Sequence, residues 1–410
     1  MADWYVRMID RAQNIVVGEY SLNPTCEVRN SEPGGFTGEL ALGQLKRGSE
    51  VFGIGRDEFA PYRTNYELWR QSTGNGVCIS DGMLTSINFN KDRDTVLISG
   101  KDWIHYLQRR IYPFKPEGYI GYDAAEPEMF WDAWPKQWPT MEIGDQDPID
   151  IAYIVRDIIR SMNKGIAIDH ATLDANIPIG YTLGAPHITF NIPLTEQTGK
   201  YKIYPGDQTS IFDHLTRLSE MTDKGFEFDI LPLSHEFKLW CPRRTLANEP
   251  PFYGFSPSDN PEGGQITEFD WTNDGPEGTY LIGLGTRDTT RVGAIWTTED
   301  NVQEFGRLDR VFDFGALTIE EMLVQILKDL DYLHPQKKLS LQLLNPEFLV
   351  PNFYTGGRPR NIMGTMIHVE HDFTPLHQVD AFFRINAINW EVDKSTNEYV
   401  NLELEMHYDP

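Results

Sequence analysis

The side chains of this 410-residue sequence best suited to chemistry are three histidines, two pairs of carboxylates and three cysteines. His368, His371 and His377 lie in IHVEHDFTPLH, a cluster that invites a metal site. On a strand, residues three apart point to opposite faces, so His368 and His371 would not converge as the i, i+4 pair does on the helix of H-E-x-x-H. The expectation is surface or interface histidines. Glu126 with Glu128, and Asp145 with Asp147, flank a tract carrying Trp131, Trp134 and Trp138. Such carboxylates could cleave a sugar bound on the indoles if they stood about 5 to 10 Å apart with one kept protonated by burial. Aromatic anchors are also enriched where a loop packs on a neighbouring domain or subunit. Cys26, Cys78 and Cys241 are too few and too far apart for a disulfide framework or a zinc cluster, and read as buried thiols. Gly53 and Gly55 form a lone G-x-G without the third glycine, the helix or the acidic partner of a dinucleotide site. Neither G-x-S-x-G nor a P-loop is present. The sequence therefore predicts no catalytic, cofactor-binding or metal-ligating residue, and a chain that is not an enzyme.

The elements that would position any function are well marked. Residues 82–111 read as two strands joined by a charged turn at 91–94 and followed at once by a short helix. Leu84, Ile87 and Phe89 are the apolar positions of the first strand, and Val96 and Ile98 those of the second. Ser99, with Asp102 three residues on, would cap the helix; Trp103, Leu107 and Ile111 fall at i, i+4, i+8, and Pro113 stops it. Upstream, strands at 4–9 and 15–20 flank a turn at 11–14, and a second turn falls at 32–35. Residues 112–147 form an irregular, Trp- and acid-rich lobe. A helix then starts with Asp147 as its cap and Pro148 in first position, carries an apolar stripe from Ile151 to Met162, and ends at Gly165. Strand-like pieces at 181–192 and 200–204 precede a second helix at 210–223. Phe226, Phe228 and Ile230 alternate with Glu227 and Asp229, an amphipathic strand whose hairpin partner is 236–241. Residues 243–264 are loop. Strands follow at 264–271 and 278–285, then a third helix with a capping box at Thr318 and Glu321, then β-structure to the end.

Bulk properties narrow the class. With 36 basic and 61 acidic side chains the net charge is −25, which argues against a phosphate-gripping surface. It leaves room for a wall that lets a duplex pass without sticking. No apolar run nears the roughly 20 residues of a membrane helix, and Met1 to Asp10 do not look like a signal peptide.

The last forty residues echo the first hairpin. Leu84 answers to Ile385, Ser86-Ile87-Asn88-Phe89 to Ala387-Ile388-Asn389-Trp390, and Val96–Ile98 to Val400–Leu404, with a polar turn in each. An offset of about 300 residues is far beyond the period of solenoids or propellers, so the echo points to a duplicated domain.

The order of these elements resembles the hub proteins at the tail tip of long-tailed bacteriophages and the hub portion of the related type VI secretion spike. The segments that carry the resemblance are VLISGKDWIHYLQRRI, Asp150-Ile151 with Ile154 and Ile158, SIFDHLTRLSEMTDKGFEFDI, and the terminal echo. GKDWIHYLQRR is similar to minor tail proteins of siphophages infecting actinobacteria. The resemblance implies an α+β, β-rich chain with two tube-like β-barrel or hairpin-plus-helix domains, at 1–115 and 266–410, and peripheral α/β domains with the Trp-rich lobe inserted at 116–265. It implies a homotrimer forming a pseudo-hexameric ring that adapts a sixfold tail tube to a threefold tip. Expected partners are the adjoining distal tail protein, the tape-measure protein and tail-tip or fibre proteins, with DNA passing through the channel; no cofactor is expected. The location implied is the virion tail tip, assembled in the bacterial host cytoplasm. Some such proteins carry a lytic domain beyond the hub, but this chain ends at Pro410, soon after the second hairpin, and leaves no room for one. The alternative is a tail protein that binds or cleaves host cell-wall glycan through Trp131, Trp134 and Trp138.

Overall fold

The computed structural model describes residues 3–10, 14–44, 60–71, 76–90, 93–110, 141–143, 149–163, 188–190, 192–199, 201–203, 209–222, 224–245, 253–255, 265–274, 276–287, 290–297, 299–313, 336–344, 363–374 and 377–406. The chain divides into two compact units. Residues 1–244, 345–363 and 388–400 make the first, and 245–344, 364–387 and 401–410 the second.

The first unit is built on antiparallel strands β1 (Asp3–Asp10), β2 (Ile15–Ser21), β3 (Pro24–Arg29), β4 (Gly35–Ala41), β5 (Thr64–Gln71), β6 (Val77–Asn90) and β7 (Thr95–Asp102), side by side in the order β3-β4-β7-β6-β5-β1-β2. Strict alternation places one face of this sheet in the core. In β1, Trp4, Val6, Met8 and Asp10 are buried while Tyr5, Arg7 and Ile9 are half-exposed. β5 follows the same parity with Thr64, Tyr66, Leu68 and Arg70 inward. The 14-residue β6 is buried on both faces from Cys78 to Leu84, then slips register by a bulge between Leu84 and Ser86 against β7. Gly100 must be glycine: a Cβ there would sit 2.4 Å from the Tyr66 ring.

Helix α1 (Trp103–Gln108) leaves β7 directly. Its cap is Asp102, whose Oδ1 accepts from the His105 N–H at 3.2 Å while Oδ2 accepts from Gly34 at 2.7 Å. This corrects the expected capping by Ser99, which lies within β7 with its hydroxyl 3.3 Å from that of Thr37. The strand runs three positions past Ser99, against the low β-propensity of Gly100, Lys101 and Asp102, because they pair with Gly82 to Leu84 of β6 and Gly35 and Phe36 of β4. Ile111 and Pro113 lie outside the described residues.

Helices α2 (Ile151–Asn163) and α3 (Ile211–Met221) bury their apolar stripes against α1 and the hairpin β8 (Glu227–Leu231) and β9 (Glu236–Trp240). α3 starts on a capping box between Ser210 and Asp213, and Gly225 after it adopts φ +57. α2 starts later than the expected Pro148, because Ile149–Asp150 pair as a short strand with Thr198–Gly199, and Asp150 accepts from the Ala152 N–H at 2.7 Å; Asp147 and Pro148 themselves lie outside the described residues. β8 is not amphipathic as expected, for all five of its residues are buried. Its two carboxylates have partners: Glu227 is paired with Arg244 at 2.8 Å, and Asp229 accepts from the Ile230 N–H.

The second unit contains β10 (Gln265–Asp274), β11 (Tyr280–Arg287), β12 (Thr290–Thr297), helix α4 (Glu299–Phe305), β13 (Asp309–Asp313), β14 (Gln336–Leu344) and β15 (Met366–Thr374). β10 pairs antiparallel with β14, and β12-β11-β13 form a separate three-stranded sheet. The long strands β16 (His377–Val392) and β17 (Glu398–Met406) run through both units, with 388–392 and 398–400 belonging to the first. Strands β5, β12 and β13 and helix α4 were not foreseen; the helix expected at 318–333 lies outside the described residues. The chain is thus β-rich with few helices, as expected, and no helix among the described residues is long and apolar enough to cross a membrane.

Candidate functional site

Within the first unit, the feature that organises the charged residues is a buried clamp. Arg70, 1% exposed, donates from Nε and Nη2 to the two oxygens of Glu398, each at 2.6 Å. The Trp4 indole N–H donates to the same carboxylate at 3.0 Å, and the guanidinium lies 5.6 Å from the centre of the Trp390 ring. Two parallel charge-assisted bonds with a third donor satisfy the geometry that a buried ion pair requires. The clamp joins residues 328 positions apart, and fixes the turn half of the C-terminal hairpin to strand β5. Sequence reading missed it, yet a signal exists. Arg70 shares the inward parity of Tyr66 and Leu68, and Glu398 that of Val400, Leu402 and Leu404, so each strand carries one opposite charge where an apolar residue belongs.

On the other face of the same sheet Tyr5, Arg7, Arg29, Glu67 and Trp69 are half-exposed, and Arg7 and Arg29 are paired with carboxylates. Arg7 lies 3.4 Å from Glu19 and 3.2 Å from Glu67, with its guanidinium 5.1 Å from the centre of the Trp69 ring. Trp69 in turn stacks on Tyr5 at 6.1 Å. Arg29 meets Glu27 at 2.6 Å and Glu32 at 3.3 Å. Such pairs near the surface stabilise by about 1 kcal/mol or less. Their consequence is electrostatic, because a guanidinium between two carboxylates offers little to a phosphate.

Two further polar nodes hold loops in place. Asp81, buried in β6, accepts from the Leu233 N–H at 2.8 Å and lies 3.1 Å from His235 Nε2, which fixes a turn whose Leu233 and His235 both have positive φ. Asp150 accepts from Ala152, from the Thr195 N–H and hydroxyl, and from Glu196. Burial alone would raise its carboxyl, but the hydrogen bonds from Ala152, Thr195 and Glu196 outweigh it and hold the pKa below the usual aspartate value. Cys241, half-buried beside this node, has its thiol pushed up to about 11, chiefly by burial. It is the poor nucleophile of a structural site.

The residues that sequence chemistry singled out do not form a reaction centre among the described residues. His368 Nε2 lies 2.7 Å from Asp380 and its ring 4.8 Å from Phe382. His371 is set three positions along β15, opposite Val379, and His377 begins β16 opposite Thr374. Among the described residues no three potential ligands gather to hold a metal. Cys26 and Cys78 are buried thiols, and Cys78 donates to the Ser80 carbonyl. Gly53, Gly55, Glu126, Glu128, Trp131, Trp134, Trp138, Asp145 and Asp147 lie outside the described residues. A small cleft of about 160 Å³ is lined by Tyr62, Met83, Tyr106 and Arg109.

No protein-family model matches the sequence, nor does any curated protein. Solved structures do match. A tail protein from Neisseria meningitidis MC58 superposes with a TM-score of 0.59 at 12% identity, covering 98% of this chain and 96% of that one. The prophage MuSo2 43 kDa tail protein from Shewanella oneidensis gives 0.54 at 12% identity, covering 98% and 97%. Prophage tail protein gp18 from Listeria monocytogenes EGD-e gives 0.49 at 11%, covering 98% and 94%. The Neisseria and Shewanella matches run the full length of both partners, so this chain has the fold of phage tail proteins.

Proposed function

We propose that the chain is a structural hub of a long-tailed phage tail tip, without enzymatic activity. Three copies form a ring in which residues 1–115 and 266–410 of each supply tube-like wall segments, giving six similar units, while 116–265 lie at the periphery. The ring continues the tail channel and joins a sixfold tube to a threefold tip, and the tape-measure protein and then DNA leave through it. The observation that carries this reading is the end-to-end likeness to the Neisseria and Shewanella tail proteins, 96% and 97% of whose chains are covered. The two hairpins at 77–102 and 377–406 support the duplicated wall, and the net charge of −25 with the doubly paired, half-exposed Arg7 supports passage of a polyanion.

Averaged images of intact tails, with the protein located by a bound antibody fragment, test the reading. A threefold ring at the tail tip with three copies per virion is expected. Location on the tail shaft or in the capsid, or a copy number not divisible by three, would overturn it.

A further inference from the structure

Residues 192–199 meet the start of helix α2 with little apolar anchorage of their own. Ile192 is buried in the core and its carbonyl accepts from the Arg156 guanidinium, but Leu194 is 58% exposed, and Pro193, Glu196 and Thr198 are exposed as well. The segment is held chiefly by Asp150. That carboxylate accepts from the Thr195 N–H at 2.8 Å, the Thr195 hydroxyl at 2.9 Å and the Glu196 N–H at 3.0 Å, besides the Ala152 N–H at the head of the helix. Backbone support is short: Ile149–Asp150 pair with Thr198–Gly199, and the Ile151 N–H donates to the Gln197 carbonyl at 2.8 Å. Glu196 stands at φ +60, in the left-handed region that residues other than glycine seldom occupy. The Thr195 side chain also bonds the thiol of Cys241, which is half-buried and packs on the core.

A segment with few buried apolar contacts opens before the core it lies on. Here its bonds converge on one charge, and a carboxylate holds N–H and O–H donors more strongly than a neutral acceptor does. We propose that residues 192–199 are a strap held closed on Cys241 by the charge of Asp150, and that loss of this charge opens the strap while the helices stay folded. The helices do not depend on the strap, because α2 and α3 pack with Phe226, Phe228, Ile230 and Phe237, and Ile192 is its one buried aliphatic residue. Three other ionisable groups meet Asp150 or the strap. The Cys241 thiol, pushed up to about 11 chiefly by burial, stays neutral; Glu196 reaches Asp150 through its backbone N–H; and Arg156 of α2 is engaged with the Ile192 carbonyl. Burial raises the Asp150 carboxyl, and the bonds from Ala152, Thr195 and Glu196 together lower it by more. Closure is therefore at full strength above the free aspartate value of about 3.9 and fades as pH falls through the lower value of the closed strap.

The test is maleimide labelling of the native full chain at pH 7, with the labelled cysteine located by peptide mass, for wild type, Asp150→Asn and Thr195→Val. Cys26 and Cys78 lie buried in the sheet and report global unfolding. Cys241 should react about tenfold or more faster in Asp150→Asn, the scale of losing hydrogen bonds to a charged group, with Cys26 and Cys78 unchanged. Removing the negative charge would by itself ease ionisation of the thiol, so Thr195→Val separates access from reactivity. The Thr195 bond favours the thiolate, and its loss alone would slow labelling, so faster labelling in Thr195→Val reports an opened strap. Amide exchange of wild type needs no variant: between pH 7 and pH 3, protection relative to the intrinsic rate should fall at Thr195 and Glu196 before it falls in α2. Unchanged or slower labelling of Cys241 in Thr195→Val, with protection at Thr195 and Glu196 undiminished at pH 3, would overturn the strap. Equal acceleration at all three cysteines, or simultaneous loss of protection in the strap and α2, would also overturn it, because the charge would then hold the whole unit rather than this segment.

Discussion

At the turn end of the β6–β7 hairpin Phe89 is 69% exposed and Leu97 41%, while at the turn end of β16–β17 the answering Trp390 is fully buried. The two hairpins share a residue pattern, an antiparallel ladder and a polar turn, so local sequence accounts for none of this contrast. What differs is the cover. Trp390 lies 5.7 Å from Trp4 and under the guanidinium of Arg70, and Glu398 on the returning strand binds both Arg70 and Trp4. Asn23 also donates to the Asp393 carbonyl at 2.9 Å. The lesson is that a strand pattern specifies which residues pair, whereas burial depends on elements hundreds of positions away in sequence.

Breaking the clamp should have the largest effect. Glu398→Ala strands the Arg70 guanidinium in the core and removes the acceptor of the Trp4 indole, which should cost about 3 to 5 kcal/mol in denaturant unfolding. Arg70→Met with Glu398→Leu removes both charges and should recover most of that loss. A double variant as unstable as the single one would show that the clamp's value lies elsewhere than in charge pairing. Trp390→Ala opens a cavity beside the same pair and should cost about 3 to 5 kcal/mol by itself. Because the two sites touch, their losses should add to less than the sum, and a double-mutant cycle measures the shortfall.

The turns extend the contrast to acid. In the second hairpin Asp393 accepts from the N–H groups of Ser395 and Asn397 and from the Asn397 side-chain amide. Desolvation would raise its carboxyl, but the three hydrogen bonds together outweigh it and lower the pKa. A carboxyl lowered in the folded state contributes stability in full above the unfolded aspartate value of about 3.9, and that contribution fades as pH falls through the folded value. Carboxyl titration by NMR should therefore place Asp393 below an unstructured aspartate, and Asn397→Ala should move it back up. An unchanged midpoint in Asn397→Ala would detach the shift from the turn.

Much of this was legible in the sequence, and the failures have physical causes. Alternation gave β1, β2 and the hairpins because a sheet with one covered face repeats every two residues. The second helix was placed at 210–223, and its start holds because the cap at Ser210 is local. β8 misled because Glu227 and Asp229 obey an amphipathic pattern, while Arg244 and Asn30, outside the strand, make the burial of Glu227 tolerable and the Ile230 N–H bonds Asp229. The cap of α1 was misplaced because Ser99 and Asp102 are both good caps, and what selects Asp102 is a second bond to Gly34 in another strand. The clamp demanded that Arg70 and Glu398 be read together, and no local rule links them.

The smallest expected effect sharpens the comparison most. Phe89 and Trp390 occupy the same place in the echo, so Phe89→Ala is the direct counterpart of Trp390→Ala. If the cover alone sets the difference, Phe89→Ala should change unfolding free energy by no more than about 0.5 kcal/mol, as an exposed substitution does. A loss of about 2 kcal/mol or more would mean that the chain itself covers the tip of the first hairpin as it covers the second, and that the two are equivalent after all. A small loss in the isolated chain, joined to reduced incorporation of Phe89→Ala protein into tails, would place the tip at a contact that forms only on assembly. The pattern repeated in the two hairpins would then serve two ends, one copy sealed by its own chain and the other left open for a neighbour.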